Sequence, residues 1–197
     1  MRKLLVATHN QGKLHELAGL LSGVSVQILS LADLGRSIAV EEHGTTFESN
    51  AVHKAVEYSR GSDALTLADD SGIEVNALGG APGIRSARYG GPGLSDEQRC
   101  RVLLDAMQKV PWDDRKARFV CVLALARGGS LIRTFRGVVE GIIAFEPRGA
   151  GGFGYDPIFY YPPISRTFGE LRREEKEKVS HRGQALREFV AYMESTH

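Results

Sequence analysis

Apolar residues recur along this chain in two periods, and their alternation predicts a sequence of strands and helices. Residues 4–7, Leu4-Leu5-Val6-Ala7, form a continuous apolar run of strand length. Leu14, Leu17, Leu20 and Leu21 then repeat at helical spacing. Residues 24–29 predict a second strand, and Phe47, Ala51, Val52, Ala55 and Val56 a second helix. A strand over 65–68 runs into Asp69-Asp70-Ser71 and a turn at Gly72, and 73–78 reads as another strand beyond it. Ser95-Asp96-Glu97-Gln98 is a capping box that opens a helix to about residue 110. Strands over 117–126 and 131–139 are joined through Gly128-Gly129, a hairpin signal, and 141–145 continues the sheet. Residues 158–160 are short and extended, Thr167-Phe168-Gly169-Glu170 is a weaker capping box, and Leu186, Phe189, Val190 and Met193 line one face of a last helix. Strands alternating with helices, then antiparallel hairpins, predict an α/β (mixed α+β) protein with a mixed sheet. The Gly-rich loops over 79–93 and 146–157 exceed ordinary connectors, and long ordered loops tend to line sites.

Composition narrows the function classes. The chain has 197 residues, 42% hydrophobic and 25% charged, ordinary for a globular protein of one large domain or two small lobes. Lys and Arg number 25 against 24 Asp and Glu, so the net charge is +1. That argues against a general nucleic-acid binder, which carries a clear basic excess, and leaves room for a local cationic pocket. Cys100 and Cys121 have no metal spacing, no disulfide framework and no adjacent His, so neither is expected to act as a nucleophile. The apolar run after Met1-Arg2-Lys3 is shorter than the roughly 7–15 residues of a secretory signal. No segment approaches the about 18 apolar residues of a membrane span. The expected location is the cytoplasm, with no membrane partner.

Asp69-Asp70-Ser71-Gly72 is the first candidate for chemistry. Two carboxylates side by side repel, so one is raised in pKa or both face a cation. Oxygen ligands at a strand end suit Mg²⁺, which takes one or two carboxylates, keeps waters and shares substrate phosphates. Asp-Asp-Ser-Gly is equally good turn chemistry, and alone the run supports both readings evenly. Thr8-His9-Asn10-Gln11-Gly12-Lys13 joins a strand to a helix, where N–H groups and Lys13 suit an anion. It is not a Walker A loop, because no earlier Gly has the required spacing and Leu14 follows the Lys. A capped helix with a surface Lys explains it slightly better on its own.

Three further stretches carry weaker signals. Glu41 and Glu42 complement a helix N-terminus or supply a further Mg²⁺ ligand facing Asp70. Lys54, seven positions after Phe47, either snorkels or points into a polar cleft. In Gly151-Gly152-Phe153-Gly154-Tyr155-Asp156-Pro157, Phe153 and Tyr155 either face a base or make a tight aromatic turn. The stretch 166–187 holds seven Lys or Arg against four Glu, mostly a solvated face with pairs such as Glu174–Lys178. Lys176, His181 and Arg182 stand apart, the last two at the start of the final helix. Acids for a metal, cations for phosphates and aromatics for a base together suit a nucleoside triphosphate.

These motifs, with Glu42-x-Gly44-x-Thr46-Phe47-x-x-Asn50-Ala51 and Gly79-Gly80-Ala81-Pro82-Gly83, stand in an order that resembles the inosine triphosphate pyrophosphatases, also called non-canonical purine NTP pyrophosphatases. The resemblance runs nearly end to end over 1–197. It implies one two-lobed domain with a long mixed sheet flanked by helices and a cleft between lobes, a homodimer, and Mg²⁺ dependence. It also implies hydrolysis of ITP, dITP and XTP to the monophosphate and pyrophosphate. By position it makes Asp70 the catalytic acid-base residue and a metal ligand, and Ser71 a substrate contact. Thr8, His9, Asn10, Gln11, Gly12 and Lys13 become the triphosphate loop. Phe153, Gly154, Tyr155, Asp156, Lys176, His181 and Arg182 become the rest of the nucleotide site. Apart from the resemblance, the chemistry of a triphosphate puts Lys13, Lys54 and Lys176 on phosphate oxygens. Alignment on the Asn50 motif favours Glu42 over Glu41 as the second metal acid. The rivals are a phosphohydrolase releasing orthophosphate and a nucleotide-binding module without turnover.

Overall fold

A computed structural model of the chain describes residues 2–21, 23–35 and 40–196. The leading apolar run becomes strand β1 (Arg2–Val6), buried from Leu4 onward. Helix α1 (Gln11–Leu20), strand β2 (Val26–Ser30), helix α2 (Phe47–Ser59) and strand β3 (Leu65–Val75) follow. β1 pairs in parallel with β2 on one side, Leu4 beside Ile28, and with β3 on the other, Leu5 beside Thr66. Parallel neighbours need long crossovers, which α1 and α2 provide. Because the chain leaves β1 for one flank and returns to the other, the strand order reverses there. Ligands in open parallel sheets gather at the carboxyl ends of strands beside such a reversal.

Then come helix α3 (Asp96–Ala106), strands β4 (Lys116–Arg127), β5 (Ser130–Ile143), β6 (Phe159–Tyr161) and β7 (Arg166–Thr167), and helices α4 (Arg173–Val179) and α5 (His181–Ser195). Among the described residues the sheet has seven strands in the order β2-β1-β3-β4-β5-β6-β7. The last three are antiparallel, with Ile143 opposite Phe159 and Tyr160 opposite Thr167. The mixed sheet expected from the sequence is therefore present. β4 and β5 turn at Gly128 and Gly129, both at positive φ (57° and 82°), as a two-residue type I′ hairpin requires.

One expectation fails. The turn at Gly72 does not exist: 65–68 and 73–75 belong to one strand, β3, that runs straight through Asp69-Asp70-Ser71-Gly72 to Val75, and 76–78, expected to extend the strand, form a 3-10 turn. A Cβ on Gly72 would lie 2.3 Å from Ser86 Oγ and 2.7 Å from Gly83 O. Gly72 therefore serves close approach, not chain reversal: Ser86 packs on the strand and its hydroxyl accepts from Ile73 N at 2.9 Å. The two acids accordingly lie inside a strand, just past the last β1–β3 pair, Val6–Leu67. The Thr167 capping box likewise opens a single 3-10 turn, Phe168–Glu170, ahead of α4.

The chain groups into two compact units: Met1–Asp70, Cys121–Gly137 and Arg182–His197 form the first, Ser71–Val120 and Val138–His181 the second. The first has a core of Leu4, Val6, Leu17, Leu67, Leu123, Phe135, Leu186 and Phe189 with their neighbours. The second is built on Ile73, Leu103, Phe119, Ile143, Phe159 and Phe168. In the second unit the buried Arg115 donates to the carbonyls of Met107 (2.9 Å), Ile143 (2.7 Å) and Ala144 (3.0 Å), which ties the end of α3 to the sheet. Both cysteines are buried, and burial pushes each thiol up to about 12, so neither is a thiolate near neutrality. No helix among the described residues is long and apolar enough to cross a membrane.

Candidate active site

In the first unit the site grows from the loop after β1. Asn10 caps α1, its Oδ1 accepting from Lys13 N at 3.0 Å, and Thr8 Oγ1 accepts from Asn10 N at 3.2 Å. Helix geometry leaves the N–H groups of Gln11 and Gly12 without intrahelical acceptors, at the positive end of the dipole. His9 is exposed, and its Nε2 lies 3.0 Å from Tyr58 OH. Lys13 turns back on the strand and donates to Asp69 Oδ2 at 2.8 Å. Arg182, near the start of α5, lies 3.6 Å from the same oxygen and also pairs with Glu16 of α1.

Successive strand side chains point to opposite faces, so Asp70 meets a different set. Its Oδ2 accepts from Asn50 Nδ2 at 3.1 Å, and its Oδ1 lies 3.4 Å from Lys54 Nζ. Lys54 also donates to Glu42 Oε1 at 2.8 Å. Both donors come from α2, which opens on a capping box between Thr46 and Ser49. Asn50 reaches further: its Oδ1 accepts from Gly44 N at 2.8 Å. A Cβ on Gly44 would overlap Ser49 and Asn50, at 2.2 Å and 2.4 Å, so only glycine lets that turn lie against the helix.

The two faces differ in charge. Burial alone would raise both carboxyls. For Asp69 the charges of Lys13, Arg182 and Lys54 override burial and hold the group well below the ordinary carboxylate range. For Asp70 burial wins over Lys54 and Lys13, Glu42 adds repulsion, and the group is raised. Burial would lower Lys54, but Asp70, Asp69 and Glu42 outweigh it, and its ammonium is held above the ordinary value.

Among the described residues no three His, Cys, Asp or Glu side chains gather as a metal cage. Glu42 and Asp70 nevertheless share one cation with hard carboxylate oxygens. That donor set fits Mg²⁺, which takes one or two carboxylates and completes its shell with water and phosphate. Glu41 is no part of it: it is exposed and lies 3.2 Å from the exposed His43. The second acid of the cluster is Glu42.

In the second unit the loop before β6 is fastened by Asp156. Its Oδ2 accepts from Phe153 N at 2.8 Å and from Lys176 Nζ at 2.5 Å. A Cβ on Gly152 would fall 2.1 Å from that carboxylate. The Lys176 ammonium sits 4.6 Å from the centroid of Phe153, a cation–π contact that holds the ring. Asp96 Oδ2 accepts from Gly154 N at 2.7 Å. His181 lies flat on Phe119, centroids 4.7 Å apart at 9°.

Tyr155 departs from the pairing expected of it. It is buried and donates to Ser86 O at 2.8 Å, so its ring belongs to the core and Phe153 alone of the two is partly exposed. Arg182 is buried as well and committed to Glu16 and Asp69. Sequence reasoning named Asn50 only as part of a motif and gave it no role in the site, and it passed over Glu16. Asn50 carried a readable signal, a polar residue on the apolar face of α2 defined by Phe47 and Ala51. Glu16 carried none, because its partner lies 166 residues away.

The fold and these clusters define an α/β protein with an acid-rich site beside a helix N-terminus. A model of the Ham1 family matches residues 4–192, and the chain belongs to that family. It is 48% identical over 189 residues to a dITP/XTP pyrophosphatase of Exiguobacterium, an alignment covering 96% of this chain and 95% of that one. A dITP/XTP pyrophosphatase of Geobacter sulfurreducens is 47% identical over 186 residues, 94% of each chain. The solved structure of a HAM1 protein from Coxiella burnetii superposes with a TM-score of 0.90 at 39% identity, covering 99% of this chain and 100% of that one. The Staphylococcus aureus Ham1 protein gives 0.89 at 37%, covering 100% of both.

Proposed function

We propose that this protein hydrolyses the non-canonical purine nucleoside triphosphates dITP, XTP and ITP to the monophosphate and pyrophosphate, with Mg²⁺, as a cytoplasmic homodimer whose 197 residues serve as one catalytic domain. The names of the curated relatives support the substrate class. The observation that carries the chemistry is Asp70, set beside Glu42 by Asn50 and Lys54.

Asp70 orients the attacking water and takes its proton on a carboxylate oxygen, and the water oxygen adds to the α-phosphorus as the bond to pyrophosphate breaks. Burial raises this carboxyl above the ordinary carboxylate value, which makes it a stronger base toward that proton. Glu42 and Asp70 would hold the Mg²⁺, which would supply positive charge against the triphosphate and its leaving group. The N–H groups of Gln11 and Gly12, with Lys13 and Lys54, hold phosphate oxygens, Thr8, His9 and Asn10 shape that loop, and Ser71 contacts the substrate. Phe153 offers its ring to the base, on a loop fixed by Gly154, Asp156 and Lys176. His181, held flat on Phe119, is the donor to the 6-keto oxygen that distinguishes hypoxanthine and xanthine from adenine. Arg182 supports the site through Asp69 and Glu16.

A release assay over a panel of nucleoside triphosphates tests the proposal. IMP with pyrophosphate from ITP is the expected outcome. IDP with orthophosphate would overturn it, and Mg²⁺-dependent binding without turnover would identify a binding module instead.

A further inference from the structure

Lys54 occupies the place where the two proposed metal acids converge. Its ammonium lies 2.8 Å from Glu42 Oε1 and 3.4 Å from Asp70 Oδ1, and its side chain is only 12% exposed. One positive charge thus bridges both carboxylates. A divalent cation cannot take the same oxygens while that ammonium stays, because like charges at contact distance repel strongly in a partly desolvated site.

The geometry also shows what would remain if Lys54 moved. Asn50, one helical turn earlier on the same face of α2, holds Asp70 Oδ2 with one end of its amide and Gly44 N with the other. This uncharged clamp keeps the turn bearing Glu42 against Asp70 without help from Lys54. Lys54 has a flexible four-carbon stem and no second role in the clamp, so it can exchange partners while the acids stay in place.

We propose that Lys54 is an exchangeable counter-ion. It closes the Glu42–Asp70 pair to divalent cations in the nucleotide-free protein and leaves when triphosphate oxygens take its ammonium, so that metal and nucleotide bind as a coupled pair. The proposal rests on the reading that Glu42 and Asp70 are the metal acids. Such coupling is reciprocal: nucleotide tightens metal, and metal tightens nucleotide by the same factor.

Mn²⁺, read by electron paramagnetic resonance, probes this directly in the nucleotide-free full chain. Lys54→Gln should bind Mn²⁺ about tenfold more tightly than wild type, since one like charge has left the site. Lys54→Arg, which keeps the charge, should resemble wild type. An inosine triphosphate analogue with an α,β-imido bridge should tighten Mn²⁺ binding to wild type and to Lys54→Gln by clearly different factors, the larger belonging to wild type. Equal or weaker Mn²⁺ binding by Lys54→Gln, or equal factors, overturns the exchange. Adding Glu42→Gln to Lys54→Gln separates the two failures. If the gain persists in that double variant, the metal lies elsewhere and the reading of the acids falls with the proposal. If the gain never existed while Glu42→Gln still weakens Mn²⁺ binding in the presence of the analogue, only the exchange fails. Should Lys54→Gln be unstable without metal, its thermal midpoint must rise more with Mn²⁺ than that of wild type, and Lys54→Met must behave alike.

Discussion

On one face of β3, Asp69 meets Lys13 and Arg182, and Arg182 also meets Glu16: two cations for two acids. On the other face, among the described residues, Asp70 and Glu42 share Lys54: one cation for two acids. The first cluster is balanced and its carboxyl is held low; the second is short of one positive charge and its carboxyl is raised. Adjacent residues of one type thus do different work, because a strand sends them to opposite sides. A balanced buried cluster ties elements together. An acid-rich one is unfinished until another cation arrives.

The largest effect expected from breaking this contrast is on turnover. Asp70→Asn should lower kcat by about three orders of magnitude, the span attributed to a general base, with nucleotide binding largely kept. Near-normal turnover in that variant would remove Asp70 from catalysis. Its effect on stability should run the other way. A carboxyl with a raised folded pKa holds its proton more tightly folded than unfolded, so it favours the fold increasingly as pH falls from neutrality toward about 4. Thermal midpoints compared across that range should favour Asp70→Asn near neutrality, and that advantage should shrink toward the acid end as the wild-type carboxyl takes up its proton. Parallel curves would contradict the raised carboxyl.

Asp69→Asn should do the reverse, costing stability first. It removes the carboxylate that Lys13 and the buried Arg182 share, and breaking a buried pair costs about 3 kcal/mol or more. Because the folded pKa of Asp69 is depressed, its contribution is fully present above the ordinary carboxylate value of about 4 and is lost only as pH falls below it. Denaturant unfolding at neutral pH should therefore show the whole loss. A stable Asp69→Asn protein with abolished turnover would invert the assignment of the two acids.

Lys13→Ala cuts the balanced face more gently, since Arg182 still faces Asp69. It should raise KM for the triphosphate about tenfold, roughly 1.4 kcal/mol of binding, with a smaller fall in thermal midpoint than Asp69→Asn. An unchanged KM would make Lys13 a partner of Asp69 and nothing more.

What could be read in the sequence divides along similar lines. Periodicity located the helices because each buries one face, continuous apolar runs located central strands buried on both, and Gly128-Gly129 announced the hairpin because that turn needs two positive φ values. The acids, the Thr8–Lys13 loop and Phe153 were visible as residue types. Gly72 misled, because a glycine required for close approach looks, in sequence, like one required for a turn. Asn50 stood in a recognisable motif and on the apolar face of α2, but its neutral side chain gave no hint that it holds Asp70. Glu42 was favoured over Glu41 only by its place in the motif with Asn50; the directions in which the two side chains point, which separate them in the structure, are not encoded in a single sequence.

Phe153 and Tyr155 repeat the contrast of Asp69 and Asp70 inside a loop, and they set the smallest expected effect. Both are aromatic, and one residue separates them. Phe153 is partly exposed beneath the Lys176 ammonium, whereas Tyr155 is buried with its hydroxyl on Ser86 O. Ser86 in turn accepts from Ile73 N next to the crowded Gly72, so the Tyr155 hydroxyl helps fix β3 downstream of the acids. Tyr155→Phe removes one buried hydrogen bond, worth about 1 kcal/mol, or roughly 2–4 °C in thermal midpoint for a chain of this size. KM should not move. Phe153→Ala should show the opposite pattern, a raised KM with little change in midpoint. A raised KM in Tyr155→Phe at an unchanged midpoint would return Tyr155 to the nucleotide and erase the distinction between the two rings.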